Sequence, residues 1–311
     1  MKNHLIDFGD EAKPEQELPN TFSSTIDVDV FAISDPGRVR ANNEDHFLVA
    51  RGIRALETVL TNLGDTWPGQ MFDETAYAMI VADGVGGQAA GEVASRRAIY
   101  TLLDLALRTP DWQFRWGNKE KNTVMWRMQD RLHRVNAALL QEAAAHSALS
   151  GMCTTMTAAL SHGHELIIGH VGDSRAYLLH EGELKRLTRD HTLAQDLIDD
   201  GINDPLFVEL KGVLTQVLGR EEHPSTPDIH GFEIADGDQL LLCTDGLTDM
   251  VGDSDIESIL REAPSAIWAC QNLVDRALSK GGHDNVTTIV ARYRIPGIRE
   301  ELPTLRLAAA G

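Results

Sequence analysis

From 26 to 34 the run IDVDVFAIS alternates apolar and polar side chains and then breaks at Asp35-Pro36-Gly37. A period of two closed by such a break is expected of a half-buried strand followed by a turn. A second strand is expected near 46–50, and 77–82 reads as an apolar strand ending at Asp83-Gly84. Residues 51–75 hold Gly64, Asp65, Pro68 and Gly69 without sustained periodicity, which predicts a connection or hairpin. Helical spacing then takes over, with Val93, Arg97, Tyr100 and Leu103 in 89–107 and Met125, Met128, Leu132, Val135 and Leu139 in 124–145.

After Gly151 the texture changes to short strands at 154–160, 165–171 and 175–179, separated by tight-turn signals, and this predicts an antiparallel meander. The stretch 188–220 reads as an irregular segment with one short helix at 193–199, of the kind that contacts ligands beside a sheet edge. Strands follow at 229–234 and 239–243, helices at 255–261 and 267–279, and a closing strand at 286–293. Two groups of strands, one pair of helices after the third strand and another before the last, predict an α/β fold with helices covering both faces of packed antiparallel sheets.

Composition narrows the classes. The 311 residues suit one large catalytic domain, 27–293, with an acidic lead at 1–26 and a tail at 294–311. The lead has neither the apolar core of a signal peptide nor a helical face, and is read as flexible. No run approaches the roughly 18 uninterrupted apolar residues of a membrane span. Cys153, Cys243 and Cys270 stand singly in apolar contexts, which fits a reducing compartment and predicts a cytoplasmic protein. Forty-seven acidic against 28 basic side chains give a formal charge of −19, a field that repels nucleic acid and anionic lipid. A monomer is expected, with no nucleic-acid partner and no membrane insertion.

The candidate chemistry lies where strands begin and end. YAMIVADG and QLLLCTDG each run a buried strand into an aspartate and a glycine, Asp83-Gly84 and Asp245-Gly246. Asp-Gly alone is as readily a turn, but two copies at the ends of strongly apolar strands point to aimed carboxylates. A glycine there leaves its carbonyl open to an ion. Asn43-Glu44-Asp45 and His283-Asp284-Asn285 precede two other strands, where their side chains can converge with the strand ends of antiparallel neighbours. Oxygen-only ligands indicate hard cations, Mg2+ or Mn2+ rather than Zn2+.

These residues carry a family resemblance. GRVRANNED (37–45), VADGVGGQAAGEVAS (81–95), GMCTTMTAAL (151–160), GHVGDSRAYLL (169–179), LTRDHTLAQDLIDDG (187–201), LTQVLG (214–219), LLLCTDGLTD (241–250) and GGHDNVTTIVAR (281–292) resemble, in order, the motifs of the type 2C metal-dependent serine/threonine phosphatases in their bacterial form. The resemblance implies a four-layer α/β/β/α sandwich with a two-cation site, Mn2+ or Mg2+, at one edge of the sheets. It assigns Asp83 as the carboxylate bridging both cations, the carbonyl of Gly84 to one cation, and Asp245 and Asp284 to the other. Glu44 and Asp45 act through metal-bound waters, and Asn285 supports the site from behind. Asp173 resembles the ligand of a third, weaker cation, the alternative being a turn aspartate paired with Arg175. Arg40 takes the position of the arginine that clamps substrate phosphate, a task suited to its planar fork of donors.

The implied reaction is hydrolysis of phosphoserine or phosphothreonine by a water that bridges the two cations, without a phosphoenzyme. Such monoesters are slow enough to need more than the ~10²- to 10⁴-fold that a side-chain base supplies. Two positions depart from the pattern. Val85 stands where many eukaryotic members have a histidine, so no side-chain general acid is assigned there, and Gln88 stands where bacterial members often have one, as a substrate-binding candidate. Expected partners are phosphorylated proteins and a cognate serine/threonine kinase. The alternatives are an inactive phosphoprotein-binding pseudophosphatase and a sporulation-type phosphatase acting on anti-sigma-factor antagonists.

Overall fold

The computed structural model describes residues 26–57, 59–60, 71–85, 90–108, 118–202, 210–220 and 226–295. Gln88, most of the expected lead and most of the tail lie outside the described residues.

Eleven described strands form two antiparallel sheets. One contains β2 (Asp45–Glu57), β3 (Met71–Val85), β5 (Met156–His162), β6 (Glu165–Val171) and β9 (Asp228–Glu233) in the order β2-β3-β5-β6-β9, with the short β4 (Cys153–Thr154) pairing the end of β3. The other contains β1 (Asp27–Asp35), β7 (Arg175–His180), β8 (Glu183–Arg186), β10 (Gln239–Cys243) and β11 (Val286–Arg294) in the order β1-β11-β10-β7-β8. The first sheet is covered by α1 (Ala90–Arg108) and α2 (Asn118–Ala145). The second is covered by α5 (Asp253–Glu262) and α6 (Ala266–Ser279), and α3 (Leu193–Asp199) and the single turn α4 (Asp245–Thr248) lie between strands in sequence.

Three layers of apolar side chains hold this stack. Met79, Val81, Leu166 and Ile168 from the first sheet meet Leu178, Leu240, Leu242 and Ile289 from the second. Ile80, Ala158 and Val171 turn outward onto Ala94, Leu102, Leu132 and Val135, and Leu241, Cys243 and Val290 turn outward onto Ile259, Leu260, Cys270 and Leu273. Successive strand residues point to opposite faces, so a strand covered on both sides becomes a continuous apolar run, as QLLLC does in β10. The fold is therefore the α/β/β/α sandwich expected, with a helix pair outside each sheet.

Several boundaries differ from the sequence pattern, each for a physical reason. The pattern stops the second strand at 50, but β2 and β3 stay paired out to Glu57↔Met71. Arg51, Gly52 and Ile53 are all exposed on that arm, so no apolar-polar alternation marks it. The stretch 175–179 does not continue a meander: β6 pairs β5 and β9, while β7 pairs β10 and β8. The chain changes sheets at Gly172-Asp173-Ser174, with Gly172 at φ 110°. Ile26 and Ile295, at the inner edges of the expected lead and tail, are both buried in the layer between the sheets.

Candidate active site

A cavity of about 620 Å³ opens at one end of the sandwich, where strand ends from both sheets meet. Arg40, Glu44, Asp83, Gly84, Asp173, Asp245, Asp284 and Asn285 all line it. Their scaffold is the sheet register: Asp45 opens β2 directly opposite Asp83 near the end of β3, Asp245 begins α4 at the exit of β10, and Asp284 immediately precedes Asn285 and β11. Asp173 sits in the turn where the chain passes between the sheets.

Neither Asp-Gly pair is a chain-reversing turn, Asp245-Gly246 opening the helical turn α4. Asp83-Gly84 is extended strand, and a side chain at Gly84 would stand 2.1 Å from the carbonyl oxygen of Gly91 in the first turn of α1. A side chain at Gly246 would stand 2.0 Å from the carbonyl oxygen of Asn285. Both positions thus exclude larger residues because another backbone approaches them closely. The pressure at Gly84 comes from the helix packed behind the strand.

The backbone of Asp83 is bracketed by two threonines. Asp83 N–H donates to Thr155 Oγ1 at 3.1 Å, while Thr155 N–H (2.9 Å) and Thr154 Oγ1 (2.7 Å) both donate to the Asp83 carbonyl. Asn285 ties the loop that carries Arg40 to the start of β11. Its Oδ1 accepts from Glu44 N–H at 2.8 Å, and its Nδ2 donates to the carbonyls of Pro36 and Asn42 at 3.0 and 2.9 Å. Arg40 reaches across the mouth and pairs with Asp284 Oδ2 at 2.5 Å. Glu44 also supplies its carbonyl to Gly84 N–H and to the buried Ser95 hydroxyl.

Asp45 is separate from this lining. It is buried, its Oδ2 accepts from Thr244 Oγ1 (2.8 Å) and Thr287 Oγ1 (2.7 Å), and burial pushes its carboxyl up to about 7. Asp173 is likewise pushed up to about 7, first by burial and then by Asp190. It does not pair with Arg175, which makes a two-pronged contact with Asp190 instead (2.9 and 2.6 Å). Asp249, one helical turn beyond Asp245, also lines the cavity.

Whether these residues suit divalent cations is decided by their chemistry. Burial, followed by repulsion from neighbouring carboxylates, raises the Asp83 and Asp245 carboxyls well above the ordinary range, so the cluster is costly to ionise without positive charge among it. Asp245 Oδ1 is buried with no hydrogen-bond partner among the described residues. The donors are all oxygen, the set that hard cations prefer. No three His, Cys, Asp or Glu side chains among the described residues close into a single-ion cage. The three carboxylates that the resemblance gives to one cation, Asp83, Asp245 and Asp284, are thus not gathered as a cage here, where Asp284 is held by Arg40, and their remaining partners would be carbonyls and water. The residues fit the cations.

The threonines and Asp249 have no role that the motifs alone make visible. Thr154, Thr155, Thr244 and Thr287 lie inside the quoted motifs, but only pairing between distant strands shows that they grip Asp83 and Asp45. Asp249 had a local signal: four residues after Asp245, it shares a face with it once 245–248 is read as a helical turn.

The chain matches the protein phosphatase 2C family over residues 61–280. It is 34% identical over 264 residues to the serine/threonine protein phosphatase PstP of Mycobacterium tuberculosis, covering 84% of this chain and 44% of that protein. It is 32% identical over 276 residues to the serine/threonine phosphatase stp of Listeria welshimeri, covering 84% of this chain and 94% of that protein. Among solved structures, the PstP catalytic domain in complex with two manganese ions aligns with a TM-score of 0.68 and 33% identity, over 87% of this chain and 100% of that one. This chain belongs to the protein phosphatase 2C family. It spans less than half the length of the mycobacterial relative and nearly all of the Listeria one.

Proposed function

We propose that this protein is a metal-dependent phosphatase that hydrolyses phosphoserine and phosphothreonine in other proteins. The observation that carries the proposal is the convergence of Asp83, Asp173, Asp245 and Asp284 from both sheets on one cavity with Arg40 at its mouth. Asp83, the Gly84 carbonyl, Asp245 and Asp284 would hold two Mn2+ or Mg2+ ions, and Asp173 a third, weaker one. When bound, such cations supply the positive charge that makes a water nucleophilic near neutral pH and offsets charge on phosphate.

The remaining work falls to the chain itself. Arg40 presents a planar fork matched to phosphate oxygens. Its side chain is 57% exposed and its partner is Asp284, so the guanidinium would be free to meet substrate phosphate once Asp284 served as a metal ligand. Asn285 sets the loop that aims Arg40. Thr154 and Thr155 hold Asp83 in place, and Thr244 and Thr287 hold Asp45 beneath the site, where the Asp45 carboxyl supports the cluster from behind. Val85 has no proton to give, so protonation of the departing serine or threonine oxygen is assigned to water, and Gln88 is kept as a substrate contact.

The kept carboxylates argue against the binding-only alternative. The partners that fit are phosphoproteins, with a serine/threonine kinase as the opposing enzyme and the chain acting as a monomer. Three free, buried thiols support a cytoplasmic setting, and among the described residues no helix is long and apolar enough to cross a membrane.

The test is hydrolysis of a phosphothreonine peptide and of para-nitrophenyl phosphate with Mn2+, with Mg2+ and with EDTA, beside Asp245→Asn. Cation-dependent release that collapses in a folded Asp245→Asn protein is expected. Absence of release with either cation overturns the reading, and full turnover in the variant removes Asp245 from the site.

A further inference from the structure

His191 lies outside the cavity and has no part in the chemistry above, yet it is almost fully buried and commits every polar atom to a partner. Its backbone N–H donates to the Gly172 carbonyl at 2.7 Å, and its ring Nδ1 accepts from Gly172 N–H at 3.1 Å. One residue therefore takes both backbone polar groups of the glycine that precedes Asp173. Because Nδ1 accepts, the ring proton is on Nε2, which faces Asp228 Oδ2 at 3.1 Å. Asp228 opens β9, so the ring is oriented from the edge strand of the first sheet.

Gly172 has little freedom of its own. At φ 110° it is in a region that favours glycine, and a side chain there would stand 2.5 Å from Thr155 Cβ. Thr155 in turn bonds Asp83 N–H and the Ser174 hydroxyl. The turn bearing Asp173 is thus pressed against Thr155 on one side and held by His191 on the other. The His191 carbonyl also accepts from Thr215 N–H at 2.9 Å, next to Leu214 in the cavity wall. The neighbouring His170 ring, centred 4.9 Å away, is itself fixed by Arg189 O and Thr157 Oγ1.

We propose that His191, oriented by Asp228, is a positioning residue that clamps Gly172 and so fixes the direction from which Asp173 meets the weaker cation. The inference rests on the phosphatase reading above. Partners one step behind a metal ligand typically change affinity by about 10- to 100-fold when removed, and here the effect falls on one cation and spares the pair at Asp83, Asp245 and Asp284.

The test is calorimetric titration of the full chain with Mn2+, together with kcat and KM on para-nitrophenyl phosphate, for wild type, His191→Leu, His191→Asn and Asp228→Ala. In His191→Leu the weakest Mn2+ event is expected to weaken by about tenfold, with the tighter events unchanged and kcat falling more than KM rises. His191→Asn, whose Oδ1 can accept from Gly172 N–H, is expected to recover most of this. Should His191→Leu not fold, Asp228→Ala carries the test, with a smaller loss confined to the same event. An unchanged weakest event in a folded variant, or an equal loss at every event, overturns the inference. Wild type that binds no Mn2+ overturns the phosphatase reading with it, and the two failures are thereby distinguished.

Discussion

Replacing Asn285 separates what holds the site together from what reacts in it. The side chain is buried and makes three hydrogen bonds, one accepted from Glu44 N–H and two donated to Pro36 O and Asn42 O. At roughly 1 kcal/mol net for each bond, Asn285→Ala is expected to cost about 3 kcal/mol, or roughly 6 °C in midpoint for a domain of this size. Asn285→Asp is the more informative change. Its carboxylate keeps the acceptor for Glu44 but turns an oxygen toward two carbonyls that had donors, and it adds negative charge beside Asp284. It is therefore expected to be less stable than the alanine variant, although it is closer to asparagine in shape. Thermal unfolding followed by circular dichroism in EDTA ranks the three proteins free of any cation. Turnover in Mn2+ should follow the same order, because the loop that loosens is the one carrying Arg40. An aspartate variant as stable as wild type would refute the clamp, since the two donated bonds would then contribute nothing.

Two further outcomes are expected. His170 is buried, and burial first and His191 second lower its ring to about 3, against about 6.5 in an unfolded chain. A depressed histidine contributes stability that is complete above the unfolded value and is lost as pH falls from about 6.5 toward 3. At pH 5 this group should cost about 2 kcal/mol relative to pH 7.5. Urea unfolding at the two pH values should show that loss in wild type and its reduction in His170→Gln, and an identical pH dependence in both would refute it. Arg40→Lys keeps the charge but loses the planar fork, so KM for a phosphothreonine peptide should rise by about tenfold, the worth of ~1.4 kcal/mol. Mn2+ binding should persist, and an unchanged KM would remove Arg40 from phosphate binding.

How much was legible in the sequence depends on where the physical signal is stored. The helices announce themselves over 90–107 and 124–145, where one face of each packs on a sheet and repeats at helical spacing, while the first turns of α2, from Asn118, carry no such repeat. The strands β3, β5, β6 and β10 do so because their apolar runs are buried. The arm is silent at 51–53, since exposure of three successive residues imposes no alternation and pairing with β3 is what marks it as strand. The turn at 172–174 looks like any hairpin between successive strands, and nothing local says that the next strand joins the other sheet.

The same division runs through the site. The chain by itself determined which carboxylates stand at strand ends, because an aspartate after a run of buried apolar residues is a local feature, and the order of the motifs carried the family. Tertiary structure alone decided which of them face one cavity and which do not. Asp45 is drawn behind the wall by Thr244 and Thr287, and Arg175 turns to Asp190 and leaves Asp173 to the cavity. Gly84 and Gly246 must be glycines because Gly91 and Asn285 press on them. Each of these depends on contacts between segments far apart in the chain, whose close approach is set by the packing of four layers and leaves no mark on local composition.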